Sequence, residues 1–201
     1  MIADDLFSLD FSIAGDFISS FDYPHEALNH IASFIASLDK SGYIERKEGV
    51  WVHETAEIAD TAYIMPPCII CSGAEIRHSA FIRGNAVIGK GAVIGNSCEI
   101  KNAIIFDEAE IPHFSYVGDS ILGHKAHLGA GVKISNVRLD KKRVRAHYES
   151  NTIDTGMPKL GALIGDRAEI GCNSVINPGT VIARGAVVYP LSSVKGFIAH
   201  S

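Results

Sequence analysis

The sequence predicts a mainly β fold, a parallel β-helix wound from six-residue steps, with a short helical segment in front and one loop thrown out of the coil. Three observations carry this. Ile58, Ile64, Ile70, Ile76, Ile82, Ile88, Ile94 and Ile100 recur every six residues without a gap. Four places after these positions sit small side chains: Ala62, Cys68, Ala74, Ala80, Ala86, Ala92 and Cys98. The pattern stops near Ser135 and resumes at Ile164, Ile170, Ile176, Ile182, Val188 and Val194. A period of six is neither the 3.6 of a helix nor the simple alternation of a strand. It suits a coil with three flat faces, an aliphatic side chain filling each face and a small one turning each corner.

Residues 1–50 lack this period and are read as an N-terminal helical cap segment; residues 51–201 form the β-helix domain, with an excursion at about 135–162. In the first part Ala27, Ile31, Phe34, Ile35 and Leu38 recur at three- and four-residue steps, one stripe of a helix, and Gly42 is a natural stop. Leu6 to Phe21 is apolar without a clear period. By analogy with capped solenoids the segment is expected to cover one open end of the stack; docking a partner is the alternative.

Within the coil the period slips by one residue at Ile105 and again at Leu122. The excursion holds RLDKKRVRAHY and SNTIDTG around Glu149, Ser150 and Asn151, and reads as a loop or hairpin leaving the coil.

At 201 residues the chain holds one substantial core, and 47% hydrophobic residues fit a globular class. A formal charge of −5 argues against nucleic acid as a partner, because phosphate-backbone binding shows as a basic excess. No apolar run reaches the roughly 20 residues that cross a bilayer. Cys68, Cys71, Cys98 and Cys172 follow no secretory signal, so reduced thiols in a cytoplasmic protein are expected. Cys68-x-x-Cys71 is a poor zinc site, since Cys68 and Cys98 already serve as small corner residues, and no metal is expected.

Arg83 and Lys101 each follow an inward Ile and lie eighteen residues apart, so they stack on one face in adjacent turns. Cations that close repel unless something anionic is present: a bound phosphate, or local carboxylates. Arg138, Lys141, Lys142, Arg143 and Arg145 form a second basic group, either a solvated face or a site for an anionic ligand. His113 takes an outward position, where an imidazole can accept a proton from an amine or hydroxyl. Tyr116 follows it, and the bare run Gly129, Ala130, Gly131 comes one turn later, where an amide N–H can face a developing oxyanion.

The motifs FIRGNAVIG, EIKNA, IPHFSYVGDSILG, LGAGVKISN and KLGALIGDRAEIGCNSVINPGTVI give residues 80–195 a resemblance to a family. The chain resembles the left-handed β-helix hexapeptide acyltransferases, in particular the acetyltransferase domain of the bifunctional glucosamine-1-phosphate N-acetyltransferase and N-acetylglucosamine-1-phosphate uridylyltransferase enzymes. The excursion looks closest to the archaeal-type sugar-1-phosphate nucleotidylyltransferases. The resemblance implies the left hand of the coil and an acetyl-CoA-dependent N-acetyltransferase of amino-sugar 1-phosphates, serving UDP-N-acetylglucosamine biosynthesis.

By the same resemblance His113 is the general base in a His-x-x-Tyr setting with Tyr116, and Glu99 a carboxylate near it. Arg83 and Lys101 are the sugar-phosphate ligands, Ala130 the backbone donor to the thioester oxygen, and Asn136 an acetyl-CoA contact. Lys142 corresponds to a functional lysine of the archaeal-type relatives. His127 stands in place of a sugar-binding Asn, Val137 in place of a Tyr, and Cys172 in place of a Ser that contacts coenzyme A. A homotrimer is implied, with sites between neighbouring coils. The Gly-rich nucleotidyltransferase domain is missing, so no uridylyl transfer is expected and a separate nucleotidyltransferase is a candidate partner. The spacings of His113, His124, His127 and His147 do not match a γ-class carbonic anhydrase. The alternative to an enzyme is a non-catalytic sugar-phosphate or nucleotide-sugar binding or assembly module.

Overall fold

The computed structural model describes residues 2–149 and 151–200, so Met1, Ser150 and Ser201 lie outside the described residues. The fold class is the one read from the sequence: a mainly β, left-handed parallel β-helix of about eight turns with a short helical N-terminal segment and one extruded loop. The six-residue step is visible in the pairing. Strands of one face stack in parallel: Glu57–Ile58, Glu75–Ile76, Val93–Asn96, Glu110–His113, His127–Leu128, Glu169–Ile170 and Val187–Val188, here face C. Face A stacks Tyr63–Ile64, Phe81–Ile82, the start of Glu99–Ile105, the start of Tyr116–Leu122, Lys133–Ile134, Val175–Ile176 and Ser193–Val194. Face B begins at Val50–His53 and continues through Cys68–Ile70 and Ala86–Ile88 to the ends of those two long strands, then Ala162–Ile164, Thr180–Ile182 and Phe197–Ile198.

The interior is one aliphatic column. Ile70, Ile82, Ile88, Ile94, Ile100 and Ile111 are fully buried, and Cys68, Ala74, Ala80, Ala86, Ala92 and Cys98 fill the corners. The two slips fall at the corner between faces A and B. There Asn102 and Asp119 take left-handed backbone, φ 49° and 50°, and the strands run straight through. Glu99 pairs with Tyr116 and Ile104 with Ile121, a step of 17 residues, as also separates Asn102 from Asp119. The tighter corner turns with one residue fewer.

The N-terminal segment departs from its expected place. Its helices, Ile2–Leu6, Gly15–Ser19 and Ile31–Ser37, with 3-10 turns at Leu9–Phe11 and Pro24–His30, lie along face B rather than over an open end. Phe7, Ile18, Leu28, Ile31 and Ile35 pack on the outward side chains Ile69, Val87, Ile104, Ile121, Leu163 and Val181. The reason is that face B offers a second aliphatic side chain beside each inward one, and this strip would otherwise meet water. Polar contacts fix the segment along the corner between faces B and C. Ser8 N–H donates to Asp166 Oδ2 (2.7 Å), Asp107 N–H to the Phe11 carbonyl (3.0 Å), and Phe11 stacks on buried His124 with ring centroids 3.9 Å apart. The helical stripe is broken: residues 24–30 form a 3-10 turn after Pro24, and the helix ends at Ser37, ahead of Gly42.

The end of the coil is met instead by a strand. Tyr43–Lys47 pairs antiparallel with Val50–His53, the first rung of face B. The excursion is a hairpin, Arg145–His147 paired antiparallel with Thr152–Asp154. Val144, Ala146 and Tyr148 turn inward onto face B, and the Tyr148 hydroxyl lies 2.9 Å from Nδ1 of buried His25 in the N-terminal segment.

Candidate active site

Because successive turns stack in register, residues 17 or 18 apart in sequence become neighbours, and the candidate residues sort into columns. His113 ends a face C strand at the corner leading to face A, with its Cα paired to that of Asn96. The Gly131 N–H donates to the His113 carbonyl (3.0 Å), and the Asn173 N–H to the Ala130 carbonyl (2.9 Å). His113, Ala130 and Cys172 therefore rise one above another at this corner. Gly131 turns here at φ 77°, and a Cβ on it would lie 2.2 Å from Asn173 Oδ1, so the run Gly129 to Gly131 keeps the corner bare. The His113 imidazole is exposed, and neither it nor the Ala130 N–H makes a hydrogen bond among the described residues. Lys133 Nζ ties the same corner by donating to the carbonyls of Phe114 (2.7 Å) and Gly131 (2.9 Å).

Face A carries a second group. Tyr116 begins the strand Tyr116–Leu122, and its hydroxyl accepts from Asn136 Nδ2 (3.1 Å). Gly118 makes this reach possible: a Cβ there would sit 2.4 Å from the Tyr116 hydroxyl and 2.8 Å from Asn136 Nδ2. Burial pushes the Tyr116 hydroxyl above its ordinary pKa, opposed by the Asn136 hydrogen bond. Asn136 Nδ2 also donates to Asp119, and this carboxylate is the hub that sequence reasoning missed. Asp119, 4% exposed, accepts from Lys101 Nζ at 3.0 and 3.1 Å and from Asn102 Nδ2 at 2.8 Å. Its carbonyl accepts from Gly161 N–H (2.8 Å), and the Asn136 carbonyl from Leu160 N–H (3.0 Å), so one residue gathers both ends of the excursion's neck. The signal was present: Asp119 is the polar residue placed at the second shortened corner.

Arg83 and Lys101 do stack on adjacent rungs, as their spacing requires, with Ile82 paired to Ile100. Each has its own carboxylate, Arg83 to Glu99 at 2.7 Å and Lys101 to Asp119 at 3.0 Å. In this structure local carboxylates meet the charge of both cations. It follows that Glu99 is engaged with Arg83 and not with the His113 imidazole. His127 stands apart on the outward row of face C, beside Glu110 in register and 3.1 Å from Glu169. Lys142 lies in the excursion, lining a hollow with Arg138, Arg143, Arg145 and Asp154. Cys68, Cys71 and Cys98 are buried free thiols, and burial pushes Cys71 up to about 11. Cys172 is exposed. No group of three or more metal-ligating side chains occurs among the described residues, and no helix there is long and apolar enough to cross a membrane.

Comparison with known proteins gives the same direction. Residues 64–157 match the family model of the GMPPB C-terminal domain. The chain is 38% identical over 102 residues to the bifunctional sugar-1-phosphate nucleotidylyltransferase/acetyltransferase of Sulfurisphaera tokodaii, which is 51% of this chain and 25% of that protein. It is 38% identical over 90 residues to the bifunctional protein GlmU of Methanococcus maripaludis, 45% of this chain and 22% of the relative. It is 36% identical over 84 residues to GlmU of Methanocaldococcus jannaschii, 42% of this chain and 20% of the relative. The chain thus spans about a quarter or less of the length of these relatives. Together the pairing of its rungs and the likeness of its motifs make this chain a hexapeptide-repeat β-helix, similar over about half of its length to the bifunctional sugar-1-phosphate enzymes.

Proposed function

We propose that the chain is an acetyl-CoA-dependent N-acetyltransferase acting on the amine of a phosphorylated amino sugar, with glucosamine-1-phosphate and galactosamine-1-phosphate as the first acceptors to try. The observation that carries this is the column at the corner between faces C and A. It sets an exposed, uncommitted imidazole one rung from an uncommitted backbone N–H. His113 takes the proton from the acceptor nitrogen as that nitrogen forms its bond to the acyl carbon. Ala130 N–H donates to the oxygen on which charge develops, and the bond from acyl carbon to sulfur breaks with the proton passing from His113 to the sulfur. Asn136, held by Tyr116 and Asp119, and Cys172, next on the column, lie on the side of the acyl donor. Arg83 with Glu99 and Lys101 with Asp119 lie on the acceptor side, and His127 with Glu169 borders face C.

The likeness to the bifunctional relatives supports the reaction class, and a separate nucleotidyltransferase would supply the step that this stretch does not resemble. Phe114, Val175, Val187, Tyr189 and Leu191 expose apolar surface around the same corner, in support of a homotrimer with the corner packed between copies. The test is a thiol-release assay with each amino-sugar phosphate. His113→Ala is expected to lower turnover by about 10² to 10⁴ with an unchanged melting temperature, since the ring is exposed. Failure of the wild type on every amino-sugar phosphate would falsify the proposal. Binding of a sugar phosphate without turnover would favour a non-catalytic binding module.

A further inference from the structure

The excursion carries the protein's densest positive charge, and the fold aims it. Val144 and Ala146 turn in against face B, so strand alternation turns Arg143 and Arg145 outward together, their Cα atoms roughly 7 Å apart. Arg138 and Lys142 line the same hollow, of about 390 Å³, in which Asp154 is the lining carboxylate. Arg138 is bonded to Asp140 at 2.8 and 2.6 Å, whereas Lys142, Arg143 and Arg145 have no ion-pair partner among the described residues. The scaffold beneath is fixed: the neck is gathered by Asp119 and Asn136, and the His147 N–H donates to the Gly179 carbonyl at 3.1 Å. Like charges held together this way cost energy in the absence of an anion, and arginine forks bind phosphoryl oxygens two at a time. The pair on face A differs, because Glu99 and Asp119 each hold one of its cations in an ion pair.

We propose that the hollow formed by Arg138, Lys142, Arg143 and Arg145 binds a diphosphate group, as carried by a nucleoside-diphosphate sugar or by coenzyme A. Two guanidinium forks on alternate residues straddle a group larger than one phosphate, and the hollow is within the size range of small-ligand sites. This rests on the reading that the chain handles phosphorylated substrates, and it adds the excursion to the surface that recognises them. A reporter stands beside the site. His147 is held below its ordinary pKa by burial first, and then by the charges of Lys195, Arg145 and Arg138. A diphosphate placed among those cations raises it.

Calorimetry of the whole chain with inorganic pyrophosphate and with orthophosphate tests this, alongside NMR titration of the His147 ring. Pyrophosphate is expected to bind at least tenfold more tightly than orthophosphate and to raise the His147 pKa. The double variant Arg143→Gln, Arg145→Gln should lose at least tenfold in pyrophosphate affinity, and Arg83→Gln should lose none. These are exposed side chains, so circular dichroism should show every variant folded. Displacement of pyrophosphate by uridine diphosphate assigns the site to a sugar nucleotide, and displacement by coenzyme A assigns it to the donor. Absence of pyrophosphate binding, binding that survives the double substitution, binding lost in Arg83→Gln, or displacement by neither ligand overturns the proposal. Thiol release is scored separately: a site that binds pyrophosphate in a chain without transferase activity sinks the proposed reaction and leaves the diphosphate site standing.

Discussion

Asp119 shows how much one side chain can organise. Its carboxylate is nearly sealed from solvent and takes hydrogen bonds from Lys101, Asn102 and Asn136, three residues that the chain delivers from the two neighbouring rungs. Removing it strands a half-buried ammonium. Asp119→Ala is therefore expected to cost about 3 kcal/mol, read by urea denaturation, with Asp119→Asn costing less because the amide still accepts from one donor. Gly118→Ala makes a complementary test. The added methyl collides with the Tyr116 hydroxyl, breaks its bond to Asn136, and is expected to cost about 1 to 3 kcal/mol by the same measurement. At this scale the sequence was a partial guide. His113 and Ala130 fall on successive turns, which was legible from the repeat, whereas Cys172 lies beyond the excursion and its place on the same column comes from the pairing of Leu128 with Ile170. The partners of Arg83 and Lys101 were not, since the period fixes which rung a residue occupies but not which carboxylate its side chain reaches.

Among the elements, the N-terminal segment gave the expectation that failed, and the failure has a readable cause. Along face B the inward residue is preceded by a second aliphatic one: Ile69 before Ile70, Val87 before Ile88, Ile104 before Ile105, Ile121 before Leu122, Leu163 before Ile164 and Val181 before Ile182. Faces A and C place Glu, Lys, Tyr or His at most of the matching positions. This doubled aliphatic marks a flank that something must cover, and the helices cover it. Their docking should respond to pH through His25. Burial holds this ring below its ordinary value, with Glu26 opposing, and its Nδ1 faces the Tyr148 hydroxyl. The undocked segment then binds a proton that the docked one refuses. Docking is at full strength above about pH 6.5 and weakens as pH falls below it. Trp51, partly buried against the segment, gives the signal: its emission should shift on acidification in the wild type, and the shift should shrink in His25→Phe.

The whole molecule is a column with one covered flank and two open ones. Face B is closed by the N-terminal segment and the excursion, so the candidate site is left to faces A and C and the corner between them. Removal of residues 2–38 is expected to leave a coil that still winds, because the inner column is separate from the flank cluster. The bared strip should make it bind a hydrophobic dye and self-associate, read by light scattering. The course of the coil was legible from six-residue steps alone. The shortened corners were legible as slips, but not as the place where a buried acid would tie the excursion to the column.

The strand Tyr43–Lys47 has a consequence for how the molecule ends. It runs against the direction of every rung above it, and its pairing is irregular between Glu45 and Lys47. A parallel winding cannot be extended from a reversed edge studded with Glu45, Arg46 and Lys47, so copies of this coil are barred from joining there into an endless fibre.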